Sequence, residues 1–499
     1  MPIHWAGLSR KSWKSAASLA RSVGGRLVSL WGSDRRPIDG QLAVNAAYAV
    51  GEGLAWITLP LTDALRVYPS IADVFTQAAR MQRAASDLVG LVPEEHGDTR
   101  PWLRHDAWPV GYHPLLSDCS GQETFDAVPD PYPFVQVEGD GVHEIAVGPV
   151  HAGIIEPGHF RFSVVGEKVL RLEQRLGYTH KGIEKRFEGQ SPREAIRLAA
   201  RVSGDSTVAF GWAYAMAAES LSGCTVPPRA QWLRALALER ERIANHLGDL
   251  GALGNDAGFA FGLAQFSRLK EDWLRENGEA FGHRYAMDWI VAGGVGTDPG
   301  QPRLDRIARH CDEVEREVAR LQTIYDEHAG LQDRFTGAGR VSPELAVRLG
   351  LTGLAGRASG VAHDLRSDLR FAPYDALAPR CATSSAGDVA ARVAVRFDEL
   401  FESLRLVRAI AVRLPDGPIH AVPPDVATAE RGAGWVEGWR GEIFVAIELD
   451  ASGLIRRCHC HDPSWQNWPL LEHAVIGNIV PDFPLINKSF NLSYSGQDL

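Results

Sequence analysis

Near the C-terminal end, cysteine and histidine alternate in a short run that has the residue types of a zinc site. Cys458, His459, Cys460 and His461 could each bind zinc, through sulfur or through a ring nitrogen. Successive side chains of a β-strand point to opposite faces, so the two cysteines would share one face and the two histidines the other. A single strand of this kind cannot close a four-ligand site. We therefore expect reduced cysteines that face the core, and no zinc.

The composition is that of an ordinary globular protein. The chain has 499 residues, which is long enough for two or more domains with a large core, and 45% of them are hydrophobic. The formal net charge is −10 and no block of lysine or arginine occurs, which argues against a nucleic-acid partner. The six cysteines include no CxxC pair and do not predict a disulfide framework.

Neither a signal peptide nor a membrane span is predicted. The N-terminus lacks the basic-then-apolar pattern of a signal peptide, so we expect the chain in the reducing cytoplasm. The longest apolar stretch, residues 42–61, is interrupted by Asn45, Glu52 and Pro60, and it predicts two strands around a turn at 51–53. Contact with a membrane is therefore expected through partners only.

Changes in composition divide the chain into three zones. Residues 1–118 alternate short strand and helix patterns, which predicts a small α+β domain. Residues 119–143 are rich in Asp, Pro and Gly and are typical of a linker. Residues 144–499 predict one large, mainly helical domain with β-hairpins at its rim. The predicted fold class is α+β.

The elements of the large domain follow from hydrophobic periodicity and turn formers. Two strands are predicted at 144–150 and 159–172, joined by a loop at 151–158. Ser191 as an N-cap, followed by Pro192 and Glu194, predicts a helix that starts there. Long helices are predicted at 228–250, 260–277, 303–328 and 386–413, and a hairpin at 442–449 and 454–459.

Ordered motifs across the large domain resemble those of the 49-kDa subunit of respiratory complex I and of the large subunit of group 4 nickel-iron hydrogenases. They read GYTHKGIEK at 177–185, PRAQ at 228–231, RIANHL at 242–247, RASGV at 357–361, DLR at 364–366 and RGE at 440–442. The N-terminal zone resembles the 30-kDa subunit of complex I through DLVGL at 87–91 and RPWLR at 100–104. Such a fusion is similar to the large subunit of formate-hydrogenlyase-type complexes, and the resemblance implies a hydrogenase large-subunit fold for the large domain.

The two motifs that hold nickel and iron in the hydrogenases are also present, but without their sulfur. The sequence reads RVSGDS at 201–206 where the hydrogenases have Arg-x-Cys-Gly-x-Cys, and SFNLSYSG at 489–496 where they have a pattern similar to Asp-Pro-Cys-x-x-Cys. The thiolate positions therefore fall on Ser203, Ser206, Ser493 and Gly496. A serine hydroxyl is a hard ligand that is not ionised near pH 7, so it cannot replace a thiolate. We expect a vacated site without metal, and no hydrogenase activity.

The same resemblance predicts how the vacated site is arranged. Ser203 and Ser206 should lie on one face of a helix and close to Ser493 and Gly496, because the ancestral thiolates bound one metal pair. The C-terminal tail should be held by Pro484 and residues 486–490. The chain stops at Leu499, and we expect no C-terminal extension of the kind that a hydrogenase maturation protease removes.

In complex I the vacated cavity became the quinone headgroup site, and the resemblance implies site residues here. That family uses a His in the first hairpin loop, a Tyr at the start of the helix after the first motif, and an Asp after the next long helix. The loop offers His151 and His159, Asp256 matches the Asp, and the Tyr position falls on Gly204. His159 would open toward the cavity and shuttle protons, and a hydrogen-bonded Asp would orient it. The alternatives are a solvated loop histidine and an Asp256 that caps a helix.

Two further residues are assigned by resemblance. Glu184 lies in a GIEK segment whose acidic residue carries protons in the hydrogenases, and the alternative is a surface ion pair with Lys185 or Arg186. Arg440 in the RGE motif would face the cavity, where it needs a partner because an unpaired buried charge is very costly. The candidate partners are Asp482 and Asp498.

The resemblance implies a subunit of a membrane-associated respiratory oxidoreductase. It would lie on the cytoplasmic face of the cell membrane against an iron-sulfur small subunit, which holds the cluster, a membrane subunit and antiporter-like subunits. Electrons from formate, NADH or ferredoxin would reach an acceptor, such as quinone, in the vacated cavity. The alternative is a structural subunit without chemistry of its own, which couples a redox module to an ion-translocating membrane arm.

Overall fold

A computed structural model describes residues 2–95, 97–126, 131–151, 155–369, 371–424 and 427–499. The strands of the N-terminal domain are β1 (Ile3–Gly7), β2 (Arg26–Arg35), β3 (Gln41–Val50), β4 (Gly53–Thr62), β5 (Val67–Pro69) and β6 (Val92–Glu94). Its helices are α1 (Arg10–Ser22), α2 (Arg36–Asp39) and α3 (Ala78–Val89).

The N-terminal domain is built on a four-stranded sheet in the order β1-β4-β3-β2. β1 pairs in parallel with β4, and the other pairs are antiparallel. The predicted strand pair within residues 42–61 is confirmed: Val50 pairs with Gly53 across a turn that contains Gly51, whose φ of +58° favours glycine. Leu27 and Leu30 of β2 belong to the main hydrophobic core together with Trp13 of α1 and Met81 of α3.

Other residues of this sheet pack against the large domain. Val28, Trp31 and Trp56 form one buried cluster with Trp435 and Phe444 of the large domain. The Trp31 ring lies edge-on at 4.9 Å from Trp56 and tilted at 5.7 Å from Phe444, both ordinary distances for aromatic pairs. Aromatic burial therefore joins the two domains.

The large domain follows an irregular segment in which the described residues form no helix or strand between β6 and the next strand. Its strands are β7 (Val142–Val147), β8 (His159–Val165), β9 (Lys168–Arg175), β10 (Ile290–Val291), β11 (Gly294–Val295), β12 (Arg431–Glu437), β13 (Glu442–Leu449) and β14 (Ile455–His461). Its helices up to β12 are α4 (Ile183–Arg186), α5 (Ile196–Ala199), α6 (Thr207–Ser222), α7 (Pro228–Asp256), α8 (Ala260–Phe281), α9 (Gln301–Glu327), α10 (Ala329–Phe335), α11 (Pro343–Leu349), α12 (Gly353–Arg357), α13 (Leu365–Asp368), α14 (Tyr374–Leu377) and α15 (Val389–Arg413). The C-terminal helices are α16 (Ser464–Ala474), α17 (Phe483–Phe490) and α18 (Tyr494–Asp498).

The predicted mixture of a small sheet domain and a larger helical domain is confirmed, and so are the long helices and the C-terminal hairpin. Two elements differ from prediction. The strand predicted at 159–172 is the hairpin of β8 and β9, because a turn at Gly166, with φ +59°, reverses the chain. The helix predicted from Ser191 is a series of turns, and α5 starts only at Ile196. A segment this short has too few hydrogen bonds to offset helix nucleation, so local capping residues do not settle its conformation.

Ion pairs pass through the core between α7 and α15. Glu399 of α15 accepts hydrogen bonds from Arg242 Nη2 at 2.6 Å and from Arg357 Nε at 2.7 Å. Arg357 Nη1 also donates to Glu437 at 2.8 Å. These four side chains are at most 2% exposed. Removing one partner from such a set leaves an uncompensated buried charge.

The substitution Glu399→Gln should therefore lower the stability of the chain by about 3 kcal/mol, because two buried guanidinium groups lose their shared carboxylate. The measurement is the midpoint of thermal unfolding of the chain in its purified complex, followed by tryptophan fluorescence. Glu317, which pairs with Arg268 at the surface, provides the control: Glu317→Gln should cost less than about 1 kcal/mol. Equal midpoints for the two variants would contradict this prediction.

Candidate functional site

The two sequence halves of the vacated site meet in space. Ser203 Oγ lies 3.1 Å from Ser493 Oγ, although 290 residues separate them. Ser493 caps α18 by accepting a hydrogen bond from the Gly496 amide at 2.8 Å. The predicted closeness of the two halves is thus confirmed. The predicted helix through Ser203 and Ser206 is wrong: Ser203 has extended backbone, a 3₁₀ turn spans Gly204–Ser206, and α6 starts only at Thr207.

An ion pair that the sequence did not predict joins these halves. Arg440 donates to both carboxylate oxygens of Asp205, from Nη1 at 2.9 Å and from Nη2 at 2.5 Å. Its Nε donates to the Asn491 carbonyl at 2.5 Å, and Nη1 lies 3.4 Å from Ser206 Oγ. Asp205 also accepts from Ser203 Oγ at 2.6 Å. Arg440 therefore ties the first motif to the C-terminal tail.

Arg440 lies at the vacated metal-ligand positions, where it contacts Asp205 and Ser206, but both of its candidate partners were wrong. Asp482 pairs with Arg334 at 3.0 Å, and Asp498 accepts hydrogen bonds from the amide and hydroxyl of Thr179. The partner is Asp205, which occupies the variable position between the two serines of the first motif. A bidentate guanidinium–carboxylate pair is the strong geometry for such a contact.

Tryptophan and asparagine side chains hold the ion pair in place. The Arg440 guanidinium stacks on the ring of Trp439 at 4.0 Å from its centroid. Trp439 Nε1 and Asn245 Nδ2 both donate to the Asp205 carbonyl, at 2.9 and 2.8 Å. On the other side, Trp468 Nε1 donates to the Ser493 carbonyl at 3.3 Å. The positions of Asp205 and Ser493 are therefore fixed by backbone contacts as well as by the ion pair.

The site contains three carboxyl groups with shifted ionisation. Burial opposes the charge of Asp205, but the Arg440 guanidinium outweighs it and lowers the pKa of this carboxyl to about 2. Burial raises the pKa of Asp462, against the attraction of Arg440. Burial also raises the pKa of Glu241 to about 8, although this carboxyl accepts hydrogen bonds from the backbone amides of Val208 and Ala209 near the start of α6. An ion pair thus lies beside two carboxyl groups whose pKa values are raised by burial.

The residues present do not fit a nickel-iron centre. Three of the four ligand positions carry hydroxyl groups, which do not supply the soft thiolates that such a metal pair needs. A side chain at the fourth position, Gly496, would have its Cβ only 2.6 Å from Asp462 Oδ2 and 2.8 Å from Ser493 Oγ. Within the described part of the chain, no group of three or more His, Cys, Asp or Glu side chains could hold a metal ion.

A second polar layer continues from the site along α7. Asn491 Nδ2 donates to Asp249 Oδ1 at 2.7 Å, and Lys488 Nζ lies 3.3 Å from the same oxygen. Arg396 donates to the other oxygen of Asp249 at 3.1 Å. Asp256, the last residue of α7, lies beyond this layer; burial raises the pKa of its carboxyl, against the ammonium of Lys488.

The histidines assigned by resemblance do not reach the site. His159 donates from Nδ1 to the Gly148 carbonyl at 3.3 Å and lines a different cavity, of about 250 Å³, together with His105, Tyr132, Arg175 and Tyr178. His151 donates from Nε2 to the Gly158 carbonyl at 2.8 Å. In the described residues no hydrogen bond or ion pair joins either ring to Asp256. The expected opening of His159 toward the vacated site is therefore wrong, because backbone carbonyls of its own loop fix the ring elsewhere.

Glu184 is buried, and neither of its alternative surface partners is correct. Lys185 pairs with Glu188, and Arg186 donates to the Lys181 carbonyl. Glu184 instead receives hydrogen bonds from Arg457 Nη2 at 3.0 Å and from His459 Nδ1 at 2.7 Å. Burial opposes its charge, but Arg457 and His459 lower the pKa of Glu184 to about 2.

The alternating Cys-His run forms β14, and the predicted split of its two faces is confirmed. Cys458 and Cys460 lie in the hydrophobic core. His459 and His461 both contact the hydroxyl of Ser29 in β2 of the N-terminal domain, at 2.7 and 3.1 Å. The histidines thus belong to the domain interface, where the sequence alone indicated no partner for them.

Two family profiles match the chain. The profile described as respiratory-chain NADH dehydrogenase, 30 Kd subunit, covers residues 7–125, and the corresponding 49 Kd subunit profile covers residues 256–434. Formate hydrogenlyase subunit 5 of Escherichia coli K12 is 31% identical in an alignment of 485 positions that covers 95% of this chain and 85% of that protein. Hydrogenase-4 component G of the same organism is also 31% identical, over 95% of this chain and 84% of its own length.

A solved structure extends the comparison to the fold. One chain of the membrane-bound sulfane sulfur reductase, an archaeal respiratory membrane complex, superposes with a TM-score of 0.67 at 25% identity, over 72% of this chain and 99% of its own. The chain belongs to the family of respiratory oxidoreductase subunits that fuse the 30-kDa and 49-kDa NADH dehydrogenase domains. No described helix is both long and apolar enough to cross a membrane.

Proposed function

We propose that this chain is the subunit in which a membrane-associated respiratory oxidoreductase delivers electrons to an organic acceptor, without a nickel-iron centre. The observation that carries the proposal is the Asp205–Arg440 pair, which joins both halves of the vacated metal site. The described contacts of Arg440 use four of the five guanidinium N–H groups, so one N–H of Nη2 can donate to an acceptor oxygen. Such a donor stabilises the negative charge that develops on a carbonyl oxygen during reduction, as in a quinone.

The electrons would come from an iron-sulfur cluster in a small subunit, fed by formate, NADH or ferredoxin. The complex would include membrane and antiporter-like subunits, and this chain would lie at the cytoplasmic face of the membrane. The Asp205 side chain is 36% exposed and that of Arg440 is 6% exposed, so the ion pair is open on its Asp205 side, and an acceptor headgroup would approach from there. Glu184 would carry protons to or from this region together with His459, to which it is hydrogen-bonded.

One observation favours a second candidate, a structural subunit that couples a redox module to an ion-translocating arm. The direct contact between Ser203 and Ser493 closes the space in which the ancestral metal pair lay. A purely structural subunit would use the ion pair only to lock the tail. Reduction of a water-soluble quinone analogue by the purified complex, and its inhibition by a quinone-site blocker, would support the first candidate. A complex that oxidises its donor but transfers no electrons to quinone would support the second.

The purified complex should contain no nickel above background, and no iron centre with cyanide and carbonyl ligands. The reason is the set Ser203, Ser206, Ser493 and Gly496, which provides no thiolate. Elemental analysis for nickel and infrared spectroscopy in the nitrile region test this directly. Stoichiometric nickel or nitrile bands that follow this chain on purification would overturn the proposed function.

A further inference from the structure

Five buried side chains form a hydrogen-bonded chain across the interface between the two domains. It starts at Glu184 Oε1, which lies 2.7 Å from His459 Nδ1. His459 Nε2 is 2.7 Å from Ser29 Oγ, and Ser29 Oγ is 3.1 Å from His461 Nδ1. The series of hydrogen bonds ends at Gln466 Oε1, 2.9 Å from His461 Nε2. None of the five is more than 6% exposed. Ser29, the only one from the N-terminal domain, is the middle link.

A β-bulge directs Ser29 toward the large domain. The pairing of β2 with β3 shifts register between Leu27 and Ser29, which places an extra residue at Val28. Bulges of this kind re-aim side chains and are frequent beside functional sites. Trp31, two residues further along β2, stacks on the His459 ring with the centroids 4.8 Å apart and the planes 11° from parallel. The bulge and the stacking together fix Ser29 against both histidines.

When both histidine rings are neutral and Glu184 is ionised, the four hydrogen bonds of this series share only three hydrogen atoms. Gln466 donates from Nε2 to the Val28 carbonyl at 2.7 Å, so its Oε1 accepts and His461 Nε2 must carry a hydrogen. With Glu184 ionised, His459 donates to it from Nδ1. In neutral rings His459 Nε2 and His461 Nδ1 are then both acceptors, and Ser29 has one hydroxyl hydrogen for the two. One added proton completes every hydrogen bond in the chain.

The added proton can occupy either end. When it is on His461, the Ser29 hydroxyl donates to His459 and accepts from His461. When it is on the Glu184–His459 pair, His459 donates to Ser29, and Ser29 donates to His461. The two arrangements differ only by shifts of hydrogen along existing bonds, so transfer needs no movement of heavy atoms. Rotation of the hydroxyl and exchange of the imidazole tautomer then reset the chain.

Each end of the hydrogen-bonded series, Glu184 at one end and Gln466 at the other, borders a cavity. Glu184 and His459 line an inner cavity of about 30 Å³ together with His180 and Asp498, which is enough for a single water molecule. Ser29 and His461 also line this inner cavity. Asp498 lies in α18, the helix that Ser493 caps. His461 and Gln466 line a larger cavity of about 270 Å³ between the domains. Its lining also includes Arg26 and Glu442, which form an ion pair at 2.6 Å.

We propose that Ser29 relays protons between Glu184 and the interdomain cavity, through His459 and His461. The proposal rests on the proposed function, since it assumes that acceptor reduction exchanges protons with Glu184. The step is balanced: one proton is added to the Glu184–His459 pair, one leaves from His461 Nε2 to water in the interdomain cavity, and no electron moves. Ser29 is thus a positioning residue from the N-terminal domain that acts on the chemistry of the large domain.

The test uses the purified complex with a water-soluble quinone analogue, in H₂O and in D₂O. Ser29→Ala should lower the maximal rate by about 10- to 100-fold, leave the KM for the acceptor unchanged, and increase the solvent isotope effect. Ser29→Thr keeps the hydroxyl and should restore most of the rate. Ser33→Ala is the matched control. Ser33 is also buried on β2, but its hydroxyl donates to Glu448, which is not part of the hydrogen-bonded series. It should retain the wild-type rate and isotope effect.

The possible outcomes separate this inference from the proposed function. If Glu184→Gln is slow but Ser29→Ala has the wild-type rate and isotope effect, the relay is overturned and the proposed function stays intact. An equal loss in Ser29→Ala and Ser33→Ala would also overturn it, since the effect would then be structural. If the wild-type complex reduces no quinone, the proposed function fails. Nitrogen NMR of the histidine-labelled chain tests the hydrogen bonds of the relay independently of activity: Ser29→Ala should shift both the His459 and His461 signals and Ser33→Ala neither, and unshifted signals in Ser29→Ala would overturn the relay.

Discussion

Replacing Arg440 by methionine should slow quinone reduction by the complex about 10²- to 10³-fold, the effect of removing one preorganised donor at a developing oxyanion. Methionine keeps an unbranched apolar stem that can still pack on Trp439, but it leaves Asp205 without its guanidinium partner. The measurement is the steady-state rate of the purified complex with a quinone analogue, at acceptor concentrations above and below the KM. Loss of the maximal rate, rather than of binding alone, is expected.

The pH dependence of stability provides an independent signature of the same substitution. In the wild-type chain the lowered pKa of Asp205 contributes stability that is present above its ordinary value of 3.8 and is lost as the pH falls toward about 2. Without Arg440, burial becomes the larger influence and the pKa of Asp205 should rise. The stabilising contribution then shrinks or changes sign, so that the variant loses stability as the pH increases above about 4.

Two controls separate the site from general damage to the hairpin of β12 and β13. Arg431 lies on the same hairpin, and its Nη1 donates to Thr58 at 3.1 Å, away from the site. Arg431→Met should leave the rate close to that of the wild type. The double variant Arg440→Met with Asp205→Asn removes the unpaired charge, so it should recover stability but not activity. Wild-type activity in Arg440→Met would show that the ion pair only locks the tail, as the structural alternative holds.

The long elements were predictable because their signals are repeated many times within one segment. The helices α7, α8, α9 and α15 each contain several turns of apolar periodicity, and the hairpin of β13 and β14 is bounded by a polar turn. Alternation along β14 was enough to assign Cys458 and Cys460 to one face and His459 and His461 to the other. Where a single turn or a single cap carried the prediction, as at Ser191 and at Ser203–Ser206, the structure differs.

The site was only partly predictable, because its decisive contacts join residues that are distant in sequence. The resemblance brought Ser203 and Ser493 together correctly, since the ancestral ligand positions share one location. It could not identify Asp205 as the partner of Arg440, because 235 residues separate them and the motif leaves that position open. The resemblance also assigned His159 to the site by residue type alone. The orientation of this side chain depends on its hydrogen bond to the Gly148 carbonyl, which the sequence does not indicate. A charged residue inside a metal-ligand motif was the one sequence signal that pointed to Asp205.

The substitution Glu241→Gln should make the chain more stable at alkaline pH. Glu241 is buried beneath the start of α6, where it accepts hydrogen bonds from the amides of Val208 at 2.7 Å and Ala209 at 3.2 Å. Burial, assisted by the negative charge of Asp205, raises the pKa of Glu241 to about 8 from its ordinary value of 4.5. The carboxyl is therefore mainly neutral at pH 7. Glutamine is likewise uncharged and keeps one acceptor oxygen for the Val208 amide, but its NH₂ group cannot accept from the more distant Ala209 amide.

The sign of the pH effect follows from this raised pKa. The contribution of the neutral acid to stability is fully present below about pH 4.5 and is lost as the pH rises to about 8, at about 1.4 kcal/mol per pH unit. The total loss is on the order of 5 kcal/mol. The Gln variant has no proton to lose at this position. Relative to the variant, the wild-type chain should therefore become steadily less stable between about pH 5 and about pH 8.

Thermal midpoints of the two complexes across this pH range test the prediction, with Glu241→Ala as the contrast. Alanine removes the acceptor for the Val208 and Ala209 amides, so it should lower the midpoint at every pH by leaving buried donors unpaired. Parallel curves for wild type and Glu241→Gln would show that Glu241 is ionised in the folded chain. A difference between the midpoints of wild type and Glu241→Gln that is small at acid pH and grows at alkaline pH would establish that the Glu241 carboxyl, next to the Asp205–Arg440 pair, is neutral in the folded chain. The negative charge of the site would then rest on Asp205, which itself opposes the ionisation of Glu241.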